Sequence, residues 1–417
     1  MVDQTLNQPN TINTLNGFYK EVYADDLKDL VPEGVKLSKM IPFVKPSKKM
    51  GLEYHQPVTL RLEHGVTYGG TEGEAFDLQV AIAGATKDAK VKGCEMVLRG
   101  RVSIGAISRS INDAASFGRA TKHVIKNLMI SSFKKQEQML FYGQSGLAVV
   151  ESIVGQVVTL SEKAFAAGIF AGGEGMKIDF FDSAIGGTPQ GAVSIGYSIE
   201  GVDIDAREIT IKAGQDLTGV AATNVVFEYG AYGKECLGLQ AMLNGSVAAP
   251  FGITSSEYSL WSGNVYSAGD AALSFKKISK SISKAVSKGL EGKLDGFVNP
   301  ETWADLLDEQ TANVKDSSYS TKKYENGSES IIFHSQNGLI EIHASTYVKK
   351  GLAFVLDMKS LTRVGSQELS FKLPGTSEDF VVKLENSHGI EFRTYCDTAL
   401  FCDAIGHNIL INDIVNS

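Results

Sequence analysis

Between residues 52 and 104 the chain alternates apolar and polar side chains in three successive runs, and this period of two limits what it can fold into. Leu52, Tyr54, Val58, Leu60 and Leu62 alternate with Glu53, His55, Thr59, Arg61 and Glu63. Phe76, Leu78, Val80 and Ile82 alternate with Asp77, Gln79 and Ala81, and Cys94, Met96, Leu98, Val102 and Ile104 form a third run. Side chains of a strand point to opposite faces in turn, so each run reads as a strand with one apolar face. The first two are joined through HGVTYGGTEGEAFDL, residues 64–78, with four glycines. That stretch reads as the turn of a long antiparallel hairpin or meander. With no helix nearby in sequence to cover it, the hairpin projects as a β-arm.

The pattern changes on either side. Residues 1–45 are polar and broken by Pro9, Pro32 and Pro42, giving an extended arm with one short helix around residues 17–30. The arm has little apolar surface of its own to bury, which points towards packing on a neighbour. Residues 110–142 contain no proline, and Phe117, Ala120, Val124, Leu128 and Met139 mark a helical stripe that ends at Gly143. A helix of roughly 30 residues spans about 45 Å. It reads as a spine with Lys122, Lys126, Lys134 and Lys135 on a solvated basic face. Residues 147–235 return to short alternating runs separated by GGEG, GGTPQG and AGQD, as in a small sandwich or barrel. A helix follows in LSFKKISKSISKAVSKGL. Another opens at NPETWADLLDEQ, with Asn299 as cap and Pro300 in the first turn. Strands dominate the remainder.

With 417 residues, a formal charge of −8 and no apolar run of membrane-spanning length, the chain is expected to be soluble, intracellular and no general nucleic-acid binder. Cys94, Cys236, Cys396 and Cys402 lack paired spacing and read as reduced thiols. GVTYGG is not followed by Gly-Lys-Ser/Thr or by a helix start, which excludes a phosphate loop, and GGEG fails likewise. Glu341 and His343 share a strand face downstream of His334, a weak metal-binding pattern outweighed by ordinary strand residues. Cys396 or Cys402 would need His407 as a base, and buried structural thiols are the better reading. Glu72 and Glu74 flank Gly73 on a turn, where hydration denies them the desolvated site of a glycosidase acid. No catalytic centre and no cofactor site emerge.

The order of arm, β-hairpin, spine helix, β block, mixed region and closing strands resembles that of tailed-bacteriophage major capsid proteins of the Hong Kong 97 type. GKLDGFVNPETWADLL resembles the helix start of their central domain. GLAFVLDMKSLTRVG with FRTYCDTALFCDAIGHNILINDI resembles their closing strands. The resemblance implies an α+β fold. It has an N-terminal arm (1–45), an extended β-loop (46–105), and the spine helix with the start of the peripheral domain (106–146). A β-rich insertion (147–235), an axial domain region (236–350) and C-terminal strands completing the peripheral domain (351–417) follow. It implies a non-enzymatic shell subunit forming hexamers and pentamers around double-stranded DNA, held without sequence-specific contacts. Assembly in the host bacterial cytoplasm into the virion would involve a separate scaffolding protein, a portal and decoration proteins, and no membrane. The inter-subunit contact is expected at the loop tip, at His64, Tyr68, Glu72, Glu74 and Phe76. Lys87, Lys90 and Lys92 lie near the loop, but no motif fixes a covalent cross-link. The rival readings are an encapsulin-type nanocompartment shell and, from another class, a β-rich glycan-binding protein or hydrolase.

Overall fold

The computed structural model describes residues 35–44, 53–71, 73, 75–105, 114–192, 196–313, 320–323, 329–335, 338–371, 382–384 and 388–416. The helix expected around residues 17–30 lies outside them. Three sheets and one two-stranded ribbon are built around a long helix, Ala114–Tyr142.

The first sheet has five strands. Gly389–Cys402 runs antiparallel to Cys94–Ser103 along one edge and to Leu361–Ser370 and Val382–Lys383 along the other. Phe43–Val44 adds in parallel to the 361–370 strand. The arm's last residues are therefore not free. Val35, Leu37 and Ile41 are buried in this subunit's own core, Glu137 accepts the backbone N–H groups of Lys36, Leu37 and Ser38 at 2.7–3.0 Å, and Arg363 donates to the Ile41 carbonyl. For residues 35–44 the expectation of packing on a neighbour is corrected: three apolar side chains and an open strand edge suffice to hold them at home.

The second sheet is made of residues 148–228 and closes on itself. Val225–Glu228, Ala148–Val154, Val157–Leu160, Glu208–Ile211, Tyr197–Asp203 and Lys177–Phe181 pair in that order, and the last pairs again with the first, all antiparallel. Closure removes exposed strand edges. Alternate residues such as Val158, Leu160, Ile178, Phe180, Ile209 and Ile211 point inward and are buried. The barrel segment carries eleven acidic against four basic residues, a net of −7 in a chain whose total is −8.

The third sheet runs in the order Asn264–Ala271, Ile409–Ile414, Ala353–Leu356, Leu294–Val298, Gly338–Ala344, Glu329–Ser335, Ser320–Lys323. The strands of 351–417 thus divide between the first and third sheets. One face of the third sheet, bearing Leu294, Val298, Ile340 and Ile342, is covered by the helices Phe275–Val286 and Pro300–Asn313. The other, bearing Phe297 and Phe354, packs against Phe141 of the long helix, with ring centroids 6.0 and 5.2 Å apart. Asn299 caps the 300–313 helix as its sequence predicts, its Oδ1 accepting the Glu301 N–H at 3.0 Å.

The long helix starts at Ala114 among the described residues and ends as predicted before Gly143. Its character changes along its length. Val124 and Leu128 form the expected stripe under the first sheet, but from Gln136 to Tyr142 every residue is buried. Lys134 is not on a solvated face: it is buried and donates to the Ala171 carbonyl at 3.0 Å, while Lys135 pairs with Glu228 at 2.8 Å. From Gln136 onwards the long helix is core, because all three sheets meet there. A Cβ on Gly143 would lie 2.2 Å from the Cys236 carbonyl oxygen and 2.7 Å from that of Met139, both backbone atoms. Gly143→Ala is expected to cost about 1–3 kcal/mol through forced backbone displacement. Chemical denaturation of the unassembled subunit checks this, and an unchanged midpoint would contradict the packing described.

Candidate assembly surface

The first and third runs of period two form strands, but the second does not. Tyr54–Arg61 pairs antiparallel with Ala85–Val91, not with residues 76–82, and the third run leaves the ribbon to pair with Gly389–Cys402 in the first sheet. Residues 76–82 form no strand, and their one backbone bridge among the described residues is His64–Ile82, whose two N–H···O bonds measure 2.9 and 3.1 Å. Period two specifies which face is apolar but supplies no partner strand. The segment opposite contains Gly65, Gly69 and Gly70, which offer little side chain to pair with.

The ribbon is anchored firmly at its base. Leu60, Ala89 and Val91 join the main core, and Phe401 meets the rings of Tyr54 and Phe251 edge-on at 5.9 and 5.2 Å. The strand that returns from the ribbon is clamped by charge. Glu391 is wholly shielded by three arginines: Arg99 donates to it through two nitrogens at 2.9 and 2.7 Å, Arg101 at 2.9 Å, and Arg393 from its own strand. The Arg99 hydrogen bonds, aided by Arg393 and Arg101, pull the Glu391 carboxyl down to about 2. A depressed carboxylate stabilises the fold above its ordinary value of 4.5 and loses that contribution as pH falls through about 2. Glu391→Gln should therefore flatten the stability-versus-pH curve between those values, as measured by denaturant unfolding. Parallel curves for the two proteins would contradict the clamp.

Beyond this base, residues 62–84 carry apolar side chains into solvent. Tyr68 is 89% exposed, Val80 84%, Leu78 81% and Leu62 73%, and Val66, Phe76 and Ile82 are exposed by half or more. Few bonds brace the loop: Gln79 N–H donates to Thr67 Oγ1 at 2.9 Å and Arg61 to the Ala83 carbonyl at 3.0 Å. Gly70 and Gly73 adopt φ of +70° and +72°, a backbone that side chains resist, and the Phe76 ring lies where a Cβ of Gly69 would be. Of the residues predicted for the tip, His64 sits in the bridge, Tyr68 and Phe76 stand exposed, and Glu72 and Glu74 lie outside the described residues. The predicted set omitted Leu62, Val66, Leu78, Val80 and Ile82. The alternation of Leu62, Leu78, Val80 and Ile82 is visible in the sequence, and a projecting hairpin leaves such a face uncovered.

The other sequence candidates resolve into structure. Glu341 binds Lys293 at 2.7 Å and His343 Nε2 lies 3.3 Å from Asp295 Oδ1, while His334 is exposed on the neighbouring strand. Among the described residues no three His, Cys, Asp or Glu side chains converge as metal ligands. Burial pushes the Cys402 thiol up to about 12 and that of Cys396 up to about 11. His407 faces Asp357 at 3.3 Å, and Asn408 donates to the Cys402 sulfur at 3.3 Å.

No protein-family model and no curated protein matches the chain. Solved structures do. A chain of the cyanophage A-1(L) capsid asymmetric unit superposes with a TM-score of 0.53 at 11% identity, over 95% of this chain and 97% of that one. The holo-SrpI encapsulin of Synechococcus elongatus gives 0.46 at 8% identity over 98% and 96%. A chain of Mycobacterium phage Bobi gives 0.45 at 12% over 98% and 99%. The fold is assigned on the first of these: an α+β capsid fold of the Hong Kong 97 type, spanning nearly the whole chain.

Proposed function

We propose that this chain is a major capsid protein, a structural subunit that closes as hexamers and pentamers into the icosahedral shell of a tailed bacteriophage and encloses its double-stranded DNA. The observation that carries this is the 62–84 loop, fixed at a rigid base and presenting exposed apolar side chains along its length. A monomer gains nothing from that arrangement, whereas burying each such side chain in a neighbour contributes about 1.5–3 kcal/mol. Symmetric closed assembly gives every loop an identical neighbour to cover it. The capsid fold agrees with this role, which needs no catalytic centre.

On this reading the inter-subunit contact includes His64, Tyr68 and Phe76 with the apolar residues beside them, and extends to Glu72 and Glu74. A separate scaffolding protein and a portal complete the assembly line. Decoration proteins would find the closed barrel on the finished shell. Such a subunit assembles in the host cytoplasm and resides in the virion.

The triple variant Tyr68→Ser, Leu78→Ser, Val80→Ser tests the proposal. Its subunit should unfold at the same midpoint as the parent, since these side chains touch little within the chain, but shells should disappear in sedimentation and electron microscopy. Normal shells from the variant would refute the role given to the loop. Particles enclosing a protein cargo and no DNA would favour the encapsulin-type reading instead.

A further inference from the structure

The chain's charge is segregated, and the helix Phe275–Val286 carries four lysines and no acid. Phe275–Val286 buries Ile278, Ile282 and Ala285 against the third sheet and turns Lys276, Lys280 and Lys284 outward. A four-residue step along a helix is about 6 Å, so the three lysines follow one another along one side of it; the Lys284 ammonium reaches the Val265 carbonyl at 2.6 Å and lies 5.6 Å from the centroid of the Tyr266 ring. Lys277 and Lys288 flank the row, and no acid intervenes before Glu291. Among the described residues none of the five forms an ion pair with a carboxylate. Lys277, Lys284 and Lys288 donate only to neutral oxygens: the carbonyls of Ala272, Val265 and Ser262, and the Ser262 hydroxyl. The neighbouring 300–313 helix carries Glu301, Asp305, Asp308 and Glu309, but Glu301 pairs with Lys350 and Glu309 accepts the Phe275 N–H. Burial, with repulsion from Lys284 added to it, lowers the pKa of Lys288.

Two features separate this face from an ordinary solvated one. Lys276 and Lys277 stand in the first turn, where the helix dipole disfavours cations by about 0.3–1 kcal/mol each, so helix stability does not account for them. The residues between the lysines on the outer side are Ser279, Ser283 and Ser287, with no exposed large apolar or aromatic side chain on the helix. Protein interfaces are depleted in lysine and anchored by aromatic residues, whereas lysine with serine is the chemistry of phosphate contacts.

We propose that the Lys276–Lys280–Lys284 face binds the phosphate backbone of duplex DNA without reading its sequence, and so marks the side of the subunit turned towards the packaged nucleic acid. This rests on the shell reading above.

The test is fluorescence anisotropy of a labelled duplex of arbitrary sequence with the unassembled subunit, titrated across salt concentrations. The wild type should bind at low salt. Lys276→Ala, Lys280→Ala, Lys284→Ala should weaken binding at least about tenfold and reduce the slope of log K against log salt by about 2–3, at roughly 0.9 per lost phosphate contact. A second duplex of unrelated sequence should behave alike. No wild-type binding, or an unchanged affinity and slope in the triple variant, would overturn the proposal. So would a variant that loses subunit association in the absence of DNA while keeping its DNA affinity, which would assign the lysines to another copy's barrel. Shell formation, followed separately by sedimentation, distinguishes the two readings. Shells with no lysine-dependent DNA binding remove only this inference. Lysine-dependent binding without shells removes only the shell reading.

Discussion

The last three turns of the long helix are the element on which the rest of the molecule depends. Within Ser132–Tyr142 successive side chains reach all three sheets. Ser132 meets Thr394 of the first sheet at 2.7 Å, Lys134 and Gln138 hold the carbonyls of Ala171 and Ile169 beside the barrel, and Phe141 packs on the third sheet. Tyr142 donates to the Tyr347 carbonyl at 2.8 Å and accepts the Lys349 N–H at 2.9 Å. The Lys349 ammonium lies 4.1 Å above the same ring and donates to the Gly146 carbonyl. A helix buried on every side tolerates little displacement, so the sheets are fixed relative to one another through it. Gly143 and Gly238 allow the chain to leave the helix without loosening that packing.

Rigidity at the centre gives the loop its meaning. The ribbon inherits a fixed base from Tyr54, Leu60, Phe251 and Phe401, and the Glu391 clamp secures the strand that follows it. An exposed apolar loop on a flexible base would pay a large ordering cost on binding; on a rigid base most of that cost is already met in folding. Charge is divided on the same plan. Nearly all of the net negative charge lies on a barrel that closes on itself, leaving a lysine row elsewhere without carboxylate partners among the described residues. The overall charge of −8 therefore says little about any one surface.

Much of this was legible in the sequence, and the gaps have physical causes. Asn299-Pro300 capping, the Phe275–Val286 stripe and the β character of 147–235 depend on local chemistry, and each appears as expected. Pairing is not local. Residues 76–82 have the alternation of a strand, but the partner of 54–61 is 85–91, a run whose lysines and aspartate hide it from an apolar pattern. The burial of Lys134 and the capture of residues 35–44 depend on surfaces contributed from more than 30 and more than 300 positions away. For the candidate surface, the sequence points to a projecting hairpin with its contact at five tip residues, whereas the exposed apolar edge also runs along Leu62, Val66, Leu78, Val80 and Ile82. Exposure is a property of the whole fold, and no local pattern encodes it.

The central claim is that residues 62–84 are exposed in the subunit because they are buried by a neighbour in the assembly. Hydrogen–deuterium exchange of these amides, compared between isolated subunits and assembled particles, measures this directly. The account predicts fast exchange in the subunit and strong protection of the loop in the particle, with little change in the 132–142 helix. Particles whose loops exchange as fast as those of free subunits would contradict it.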